Sequence, residues 1–268
     1  MFAACSAAIL ALFAFQSLWA EDALFIGNSY TYGGPETTVR NHGGVPKIVE
    51  AIAASKGKRL STLMVTVGNM DLAYHLAQKR TEEALASRKW NWVVLQDFSS
   101  EATHIGHVDS FFASGLIFYR RIISDSSQTK MVLYEPWARP KGSPFYTGTD
   151  TATTFTTVSS MNLEIQSNYC RLINTLKAIT PRDQVELAPV GEAFERSLQE
   201  NPDIQLYYPD GHHASLEGSY LAALVIYATL YRDDPNGATR NFFGTEIPEE
   251  IAVKLQAVAH EAVGLKNP

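Results

Sequence analysis

The chain has 268 residues, of which 46% are hydrophobic and 19% are charged. That hydrophobic content excludes an intrinsically disordered chain, because disorder goes with low hydrophobicity and high net charge. The 22 Lys and Arg residues against 28 Asp and Glu residues give a net charge of −6, which argues against the basic surface of a nucleic-acid-binding protein. We therefore expect a folded domain with no nucleic-acid partner.

Residues 1–20 are almost wholly apolar and carry no charge, and the acidic Glu21 and Asp22 follow them. A short apolar segment that ends in a small residue such as Ala20 is typical of a secretory signal peptide. We expect cleavage near Ala20, export to the periplasm or the extracellular space, and a folded domain at 21–268. The alternatives are an N-terminal membrane anchor, for which about 20 residues are just enough, and a buried element of the fold.

Short apolar runs alternate with longer amphipathic segments along the rest of the chain. The apolar runs predict buried strands at 23–27, 60–68, 91–96, 130–135 and 184–190. The amphipathic segments predict helices at 45–57, 70–87, 108–125, 158–179, 215–231 and 247–264. Strands that alternate with helices form parallel βαβ units, and strands buried on both faces need helices on both sides of the sheet. We therefore predict one three-layer α/β domain.

Two long loops lie where ligands bind in such sheets, near the carboxyl ends of the strands. Residues 136–154 follow the fourth strand, and residues 201–214 precede the helix at 215–231. The aromatic side chains of the first loop either stack on a sugar ring or hold the loop against the core; they are Trp137, Phe145 and Tyr146.

Gly27, Asn28 and Ser29 directly follow the first strand. A serine at this position faces the expected ligand crevice, and the glycine lets the chain turn sharply. The tripeptide is therefore either the site of a nucleophile or a polar turn whose Asn and Ser side chains cap a helix.

Asp210 precedes His213 by three residues, just before the helix at 215–231. At this spacing the carboxylate can point at Nδ1 of the imidazole, which fixes the tautomer and stabilises an imidazolium. His212 offers the same chemistry in a more cramped position, and a simple turn with exposed histidines is the alternative. With Ser29, the pair supplies a nucleophile, a base and a group that orients the base.

The segments LFIGNSYTY (24–32) and DGHHAS (210–215) resemble the first and last sequence blocks of the SGNH, or GDSL-like, hydrolases. The resemblance covers essentially all of the chain after the leader, although Asn28 stands where that family usually has Asp. It implies a flavodoxin-like α/β/α sandwich with a five-stranded parallel sheet. It also implies ester hydrolysis through an acyl-serine intermediate, with Ser29, Asp210 and His213 as the catalytic residues.

The same resemblance implies that the backbone N–H groups of Ser29 and Gly68 bind the oxyanion. The family's third block adds an Asn side chain as a donor, but the third strand here ends in VVLQDFSS and lacks it. We take Gln96 as the replacement donor and Asn69 as the second choice. We also expect Tyr30 and Trp137 to contact substrate.

The expected partner is a small-molecule or carbohydrate ester, with no cofactor, no metal and no stable membrane partner. The expected export, the aromatic loop and the absence of an apolar lid favour acetyl esters of carbohydrates as the substrate. Lipid esters and thioesters stay open as alternatives. Two other functions also stay open. One is a carbohydrate- or ligand-binding module on a hydrolase scaffold, and the other is metal-dependent hydrolysis through Asp210, His212 and His213.

Overall fold

The computed structural model describes residues 20–179 and 184–265. Five parallel strands form the central sheet in the order β2-β1-β3-β4-β5. The strands are β1 (Glu21–Gly27), β2 (Leu60–Thr66), β3 (Trp92–Leu95), β4 (Lys130–Tyr134) and β5 (Val185–Ala188). This is the strand order of flavodoxin-like sheets, so the predicted fold class is confirmed. The predicted leader at 1–20 lies outside the described residues, apart from Ala20.

Helices cover both faces of this sheet. They are α1 (Ser29–Tyr32), α2 (Thr37–Asn41), α3 (Gly44–Ser55), α4 (Leu72–Leu76), α5 (Lys79–Ala86), α6 (Val108–Asp125), α7 (Val158–Ala178), α8 (Val190–Glu200), α9 (Leu216–Tyr231) and α10 (Glu249–Ala262). Helices α3, α8, α9 and α10 enclose one core, and α4 to α7 enclose the other. A short antiparallel hairpin, β6 (Asn241–Phe242) and β7 (Thr245–Glu246), precedes α10.

The central strands are apolar on both faces because each face meets a helical layer. In β1, Ala23 and Phe25 pack into the core under α3 and α9, whereas Leu24 and Ile26 pack into the opposite core. All four side chains are fully buried. Helix α9 is buried almost all round, because α3, α8 and α10 pack against it. The carboxyl end of β1 is therefore held rigidly between two helical layers.

The predicted helix over 70–87 is two helices. Asp71 begins α4 by accepting a hydrogen bond from the Tyr74 N–H (2.7 Å), and the extended backbone of Gln78 (φ −94°, ψ 126°) separates α4 from α5. The break lets α4 turn inwards, so that Leu72 and His75 are buried. Within residues 20–179 and 184–265, no helix has the length and apolar character needed to cross a membrane.

Candidate active site

Ser29 lies directly after β1, at the point where the strand order reverses between β1 and β3. It is the first residue of α1, and the Asn28 side chain caps that helix by accepting a hydrogen bond from the Tyr30 N–H (3.2 Å). The amide of Asn28 also donates to the carbonyls of Met70 (3.0 Å) and Asp97 (3.4 Å). Asn28 therefore ties the turn that carries Ser29 to the loops that follow β2 and β3.

Gln96 is part of the support behind this turn. Its Oε1 accepts hydrogen bonds from the Asn28 N–H (3.0 Å) and the Thr31 hydroxyl (3.0 Å), and its Nε2 donates to the Asp97 carbonyl. A Cβ at Gly27 would lie 2.8 Å from Oε1 of Gln96, so the contact needs a glycine there. Because the Gln96 carboxamide is buried and used at both ends, the structure does not bring it to Ser29 as an oxyanion donor.

His213 lies in the loop between α8 and α9, paired with Asp210. Its Nδ1 is 2.7 Å from Oδ2 of Asp210, and Oδ1 of Asp210 accepts the N–H groups of His212 (3.0 Å) and His213 (3.1 Å). Partial burial raises the pKa of Asp210, but these hydrogen bonds outweigh it and hold that pKa below its ordinary value. A neutral imidazole that donates Nδ1–H to this carboxylate keeps the lone pair of Nε2 for proton transfer.

Ser29 and His213 line the same cleft, of about 260 Å³, which we call the Ser29 cleft. Gly68, Asn69 and His212 line it as well. Among the described residues, no acceptor receives the N–H of Ser29 or of Gly68. Asn69 is exposed at φ 63°, a backbone conformation that Asn tolerates better than most residues. The lining of the cleft thus includes two residues whose backbone N–H groups have no acceptor in the described part of the chain, and one residue with a carboxamide side chain.

Trp137, which we expected to contact substrate, is not among the residues that line the Ser29 cleft. Its ring is fully buried, stacked between Tyr30 (4.2 Å) and Phe194 (4.2 Å). Its Nε1 donates to the His212 carbonyl (3.0 Å), so Trp137 holds the histidine loop and both of its faces are covered. Tyr30 does line the Ser29 cleft, and its ring meets the His213 ring edge to face (5.7 Å).

The fold has parallels among solved structures. A protein of the DUF4886 family from Bacteroides uniformis superposes with a TM-score of 0.68 at 18% identity, over 91% of this chain and 95% of that one. A candidate SGNH hydrolase from Slackia heliotrinireducens gives 0.60 at 23% identity, over 79% and 99%. The chain has the SGNH-hydrolase fold. No family model and no curated protein matches the sequence.

A lipase/acylhydrolase from Enterococcus faecalis also shares the SGNH fold, with a TM-score of 0.56 at 15% identity over 81% of this chain and 100% of that one. All of these identities are low, so the likeness concerns the fold. The chemistry of this chain has to be inferred from its own side chains.

On this SGNH fold, several contacts of the site were not predicted from the sequence. A Cβ at Gly34 would lie 2.4 Å from Cδ2 of His213, and Gly34 has φ +52°. His75 is fully buried, and its Nε2 is 2.8 Å from the Gly27 carbonyl just before Ser29. Burial lowers the pKa of His75, and because a carbonyl can only accept, Nε2–H of His75 is the donor in this contact. The adjacent glycines after α1 are a sequence signal for a close approach, whereas a single histidine in a helix is not.

Asp210, His212 and His213 also place ligand-type atoms within 4.8 Å of one another. The residues that the metal-dependent alternative requires are therefore close together. The same Nδ1 of His213 bonds to the carboxylate at 2.7 Å, and an ion bound between them would replace that bond. A chelator distinguishes the metal-dependent interpretation from the serine-dependent one.

Proposed function

We propose that the protein is an ester hydrolase that uses Ser29 as its nucleophile. The observation that carries the proposal is that Ser29 shares one cleft with His213, which is 184 residues away in sequence and is paired with Asp210. A nucleophile, a base and a carboxylate that orients the base are the minimal set for acyl transfer to serine.

In the proposed reaction, the Ser29 hydroxyl attacks the acyl carbonyl and Nε2 of His213 takes its proton. The imidazolium then protonates the departing alkoxide, and an acyl-serine is left. Water attacks this ester, with His213 again taking the proton, and the acid leaves as Ser29 is restored. Asp210 stabilises the imidazolium at both stages through its contact with Nδ1 (2.7 Å).

We assign the oxyanion to the N–H groups of Ser29 and Gly68, and we take the Asn69 carboxamide as the third donor. Asn69 lines the Ser29 cleft, whereas Gln96 does not line it and spends both of its polar atoms on the turn below. One such donor contributes about 10²–10³ in rate in other hydrolases.

We propose short acyl esters of polar alcohols as the substrate class, and acetyl esters of carbohydrates within it. The cleft is small, at about 260 Å³, which is below the usual range of about 300–1,000 Å³ for pockets that enclose drug-sized ligands. Most of its side chains are polar, with Phe98 as the exception; they include Tyr30, Tyr32, Asn69, Ser99 and Arg139. Export through the leader at 1–20 would place the enzyme with extracellular esters.

The direct test is turnover of p-nitrophenyl acetate by the wild type and by Ser29→Ala. We expect the substitution to abolish the enzymatic rate. Ser124→Ala is the matched control, because Ser124 is exposed on α6 and its hydroxyl, within the described part of the chain, bonds only to Arg121 and Asp125 of the same helix. An unchanged rate in Ser29→Ala rejects Ser29 as the nucleophile, and loss of the wild-type rate with a chelator supports the metal-dependent reaction instead.

A further inference from the structure

Arg139 is a nearly buried cation in the wall of the Ser29 cleft. Arg139 lies in the loop after β4 and is only 9% exposed to solvent. It lines the cleft together with Ser29 and His213. No sequence pattern assigns Arg139 a role, and the proposed reaction does not use it. A guanidinium is charged at every physiological pH, so a positive charge stands permanently beside the reacting groups.

The protein partners of Arg139 are neutral. One terminal nitrogen donates to the Tyr30 hydroxyl (2.5 Å) and the other to the Ser99 hydroxyl (2.9 Å). The rings of Phe145 (5.4 Å) and Tyr30 (5.9 Å) lie against the guanidinium. These contacts fix the plane of the guanidinium. They use only some of the five N–H donors that an arginine carries, and the other donors remain available.

No carboxylate oxygen among the described residues lies within 4 Å of the Arg139 nitrogens. The acidic group nearest to the reaction, Asp210, is already committed to His213 and to two backbone N–H groups. Withdrawing a charge from water without a counter-ion is costly, so buried charges are normally paired. A rigid, uncompensated guanidinium in a ligand cleft is therefore suited to an anion supplied by the ligand.

We infer that Arg139 selects esters that carry a carboxylate near the scissile bond, such as acetyl esters of acidic sugars. This inference rests on the proposed ester hydrolysis and narrows its substrate class. A planar guanidinium matches a carboxylate in two parallel hydrogen bonds, which gives orientation as well as attraction. The carboxylate belongs either to the alcohol part or to the acyl part of the ester, and the test has one pair of substrates for each.

The test compares anionic esters with neutral isosteres. 4-Acetoxybenzoate against 4-acetoxybenzamide places the charge on the alcohol, and mono(4-nitrophenyl) adipate against the corresponding adipamate places it on the acyl group. We expect kcat/KM of the wild type to favour the anionic member of at least one pair by about 10- to 100-fold, the range of a hydrogen bond to a charged group. Arg139→Gln should bring that ratio close to one, and Arg139→Lys should keep part of it.

Lys79→Gln removes one positive charge from the exposed surface of α5 and is the control for net charge. A ratio that is the same in Arg139→Gln and the wild type overturns the inference while ester hydrolysis stands. An equal loss on both members of a pair also overturns it, because Arg139 would then only support Tyr30 and Ser99. If no ester is hydrolysed, calorimetric binding of 4-hydroxybenzoate and 4-hydroxybenzamide decides it: no anion preference that depends on Arg139 refutes the inference.

Discussion

Gly34→Ala should disable His213 with little loss of stability. A Cβ at Gly34 would lie 2.4 Å from Cδ2 and 2.7 Å from Cγ of the imidazole, whereas ordinary van der Waals contact begins near 3.4 Å. The ring would therefore have to move by about 1 Å, and a displacement of that size at a catalytic group costs about 100-fold in rate. The left-handed backbone at φ +52° adds about 1 kcal/mol of destabilisation for alanine.

Gly237→Ala is the matched control, because Gly237 has φ +74° and, in the described part of the chain, no atom beyond its own chain neighbours lies within 4 Å of a Cβ there. Both variants should lose about 1 kcal/mol in the free energy of unfolding, or roughly 2–4 °C in Tm for a domain of this size. Only Gly34→Ala should lose kcat on p-nitrophenyl acetate. Equal kcat values for the two variants would show that the position of the His213 ring does not limit the reaction, and would refute the reasoning.

Three further predictions concern the groups around the cleft. Asp210→Asn should lower kcat by about 10³–10⁴, because an amide opposite Nδ1 favours the wrong tautomer, while circular dichroism shows an intact fold. Asn69→Gly should lower kcat by about 10²–10³. Gln96→Met should mainly lower the free energy of unfolding, by about 1–3 kcal/mol, because it leaves buried donors without their acceptor. The reverse pattern would favour Gln96 as the oxyanion donor. Burial raises the pKa of Asp97 to about 7 and of Glu135 to about 8, so the folded state holds protons that the unfolded state loses. The free energy of unfolding should fall between about pH 4 and pH 8, by at most about 5 kcal/mol for each carboxyl. Asp97→Asn should flatten a plot of Tm against pH, and an unaltered slope would contradict this.

The fold was predictable because its signals are local. Apolar runs such as 91–96 and 130–135 are long enough for strands buried on both faces, and helical segments of ordinary length separate them. The prediction of one helix over 70–87 was wrong, because the helical periodicity of the sequence continues through Gln78. In the structure, α4 packs against the end of β1 and the helix is interrupted at Gln78.

The pairing of Asp210 with His213 was also local, since three residues within one turn set the geometry. The orientation of the Gln96 carboxamide was not local, because it depends on the Asn28 N–H and the Thr31 hydroxyl. Both lie more than 60 positions away in sequence. A residue type at a strand end predicts that a polar group is present, and only the neighbouring backbone decides where that group points.

Trp137 shows the same limit for an aromatic side chain. Its two stacking partners come from α1 and α8, which the sequence places far from the loop at 136–154. The sequence left both uses of the ring open, and these partners select the structural one. Arg139, two residues further on, has no sequence pattern of its own, and the role that we propose for it rests only on what surrounds it.

The most direct test of the central claim is labelling with a fluorophosphonate, which reacts with an activated serine. Intact-mass and peptide mass spectrometry should find one adduct, on Ser29, that is absent in Ser29→Ala and slowed strongly in Asp210→Asn. An adduct on another serine, or sugar binding by a wild-type protein that never forms the adduct, would contradict catalysis by an activated Ser29.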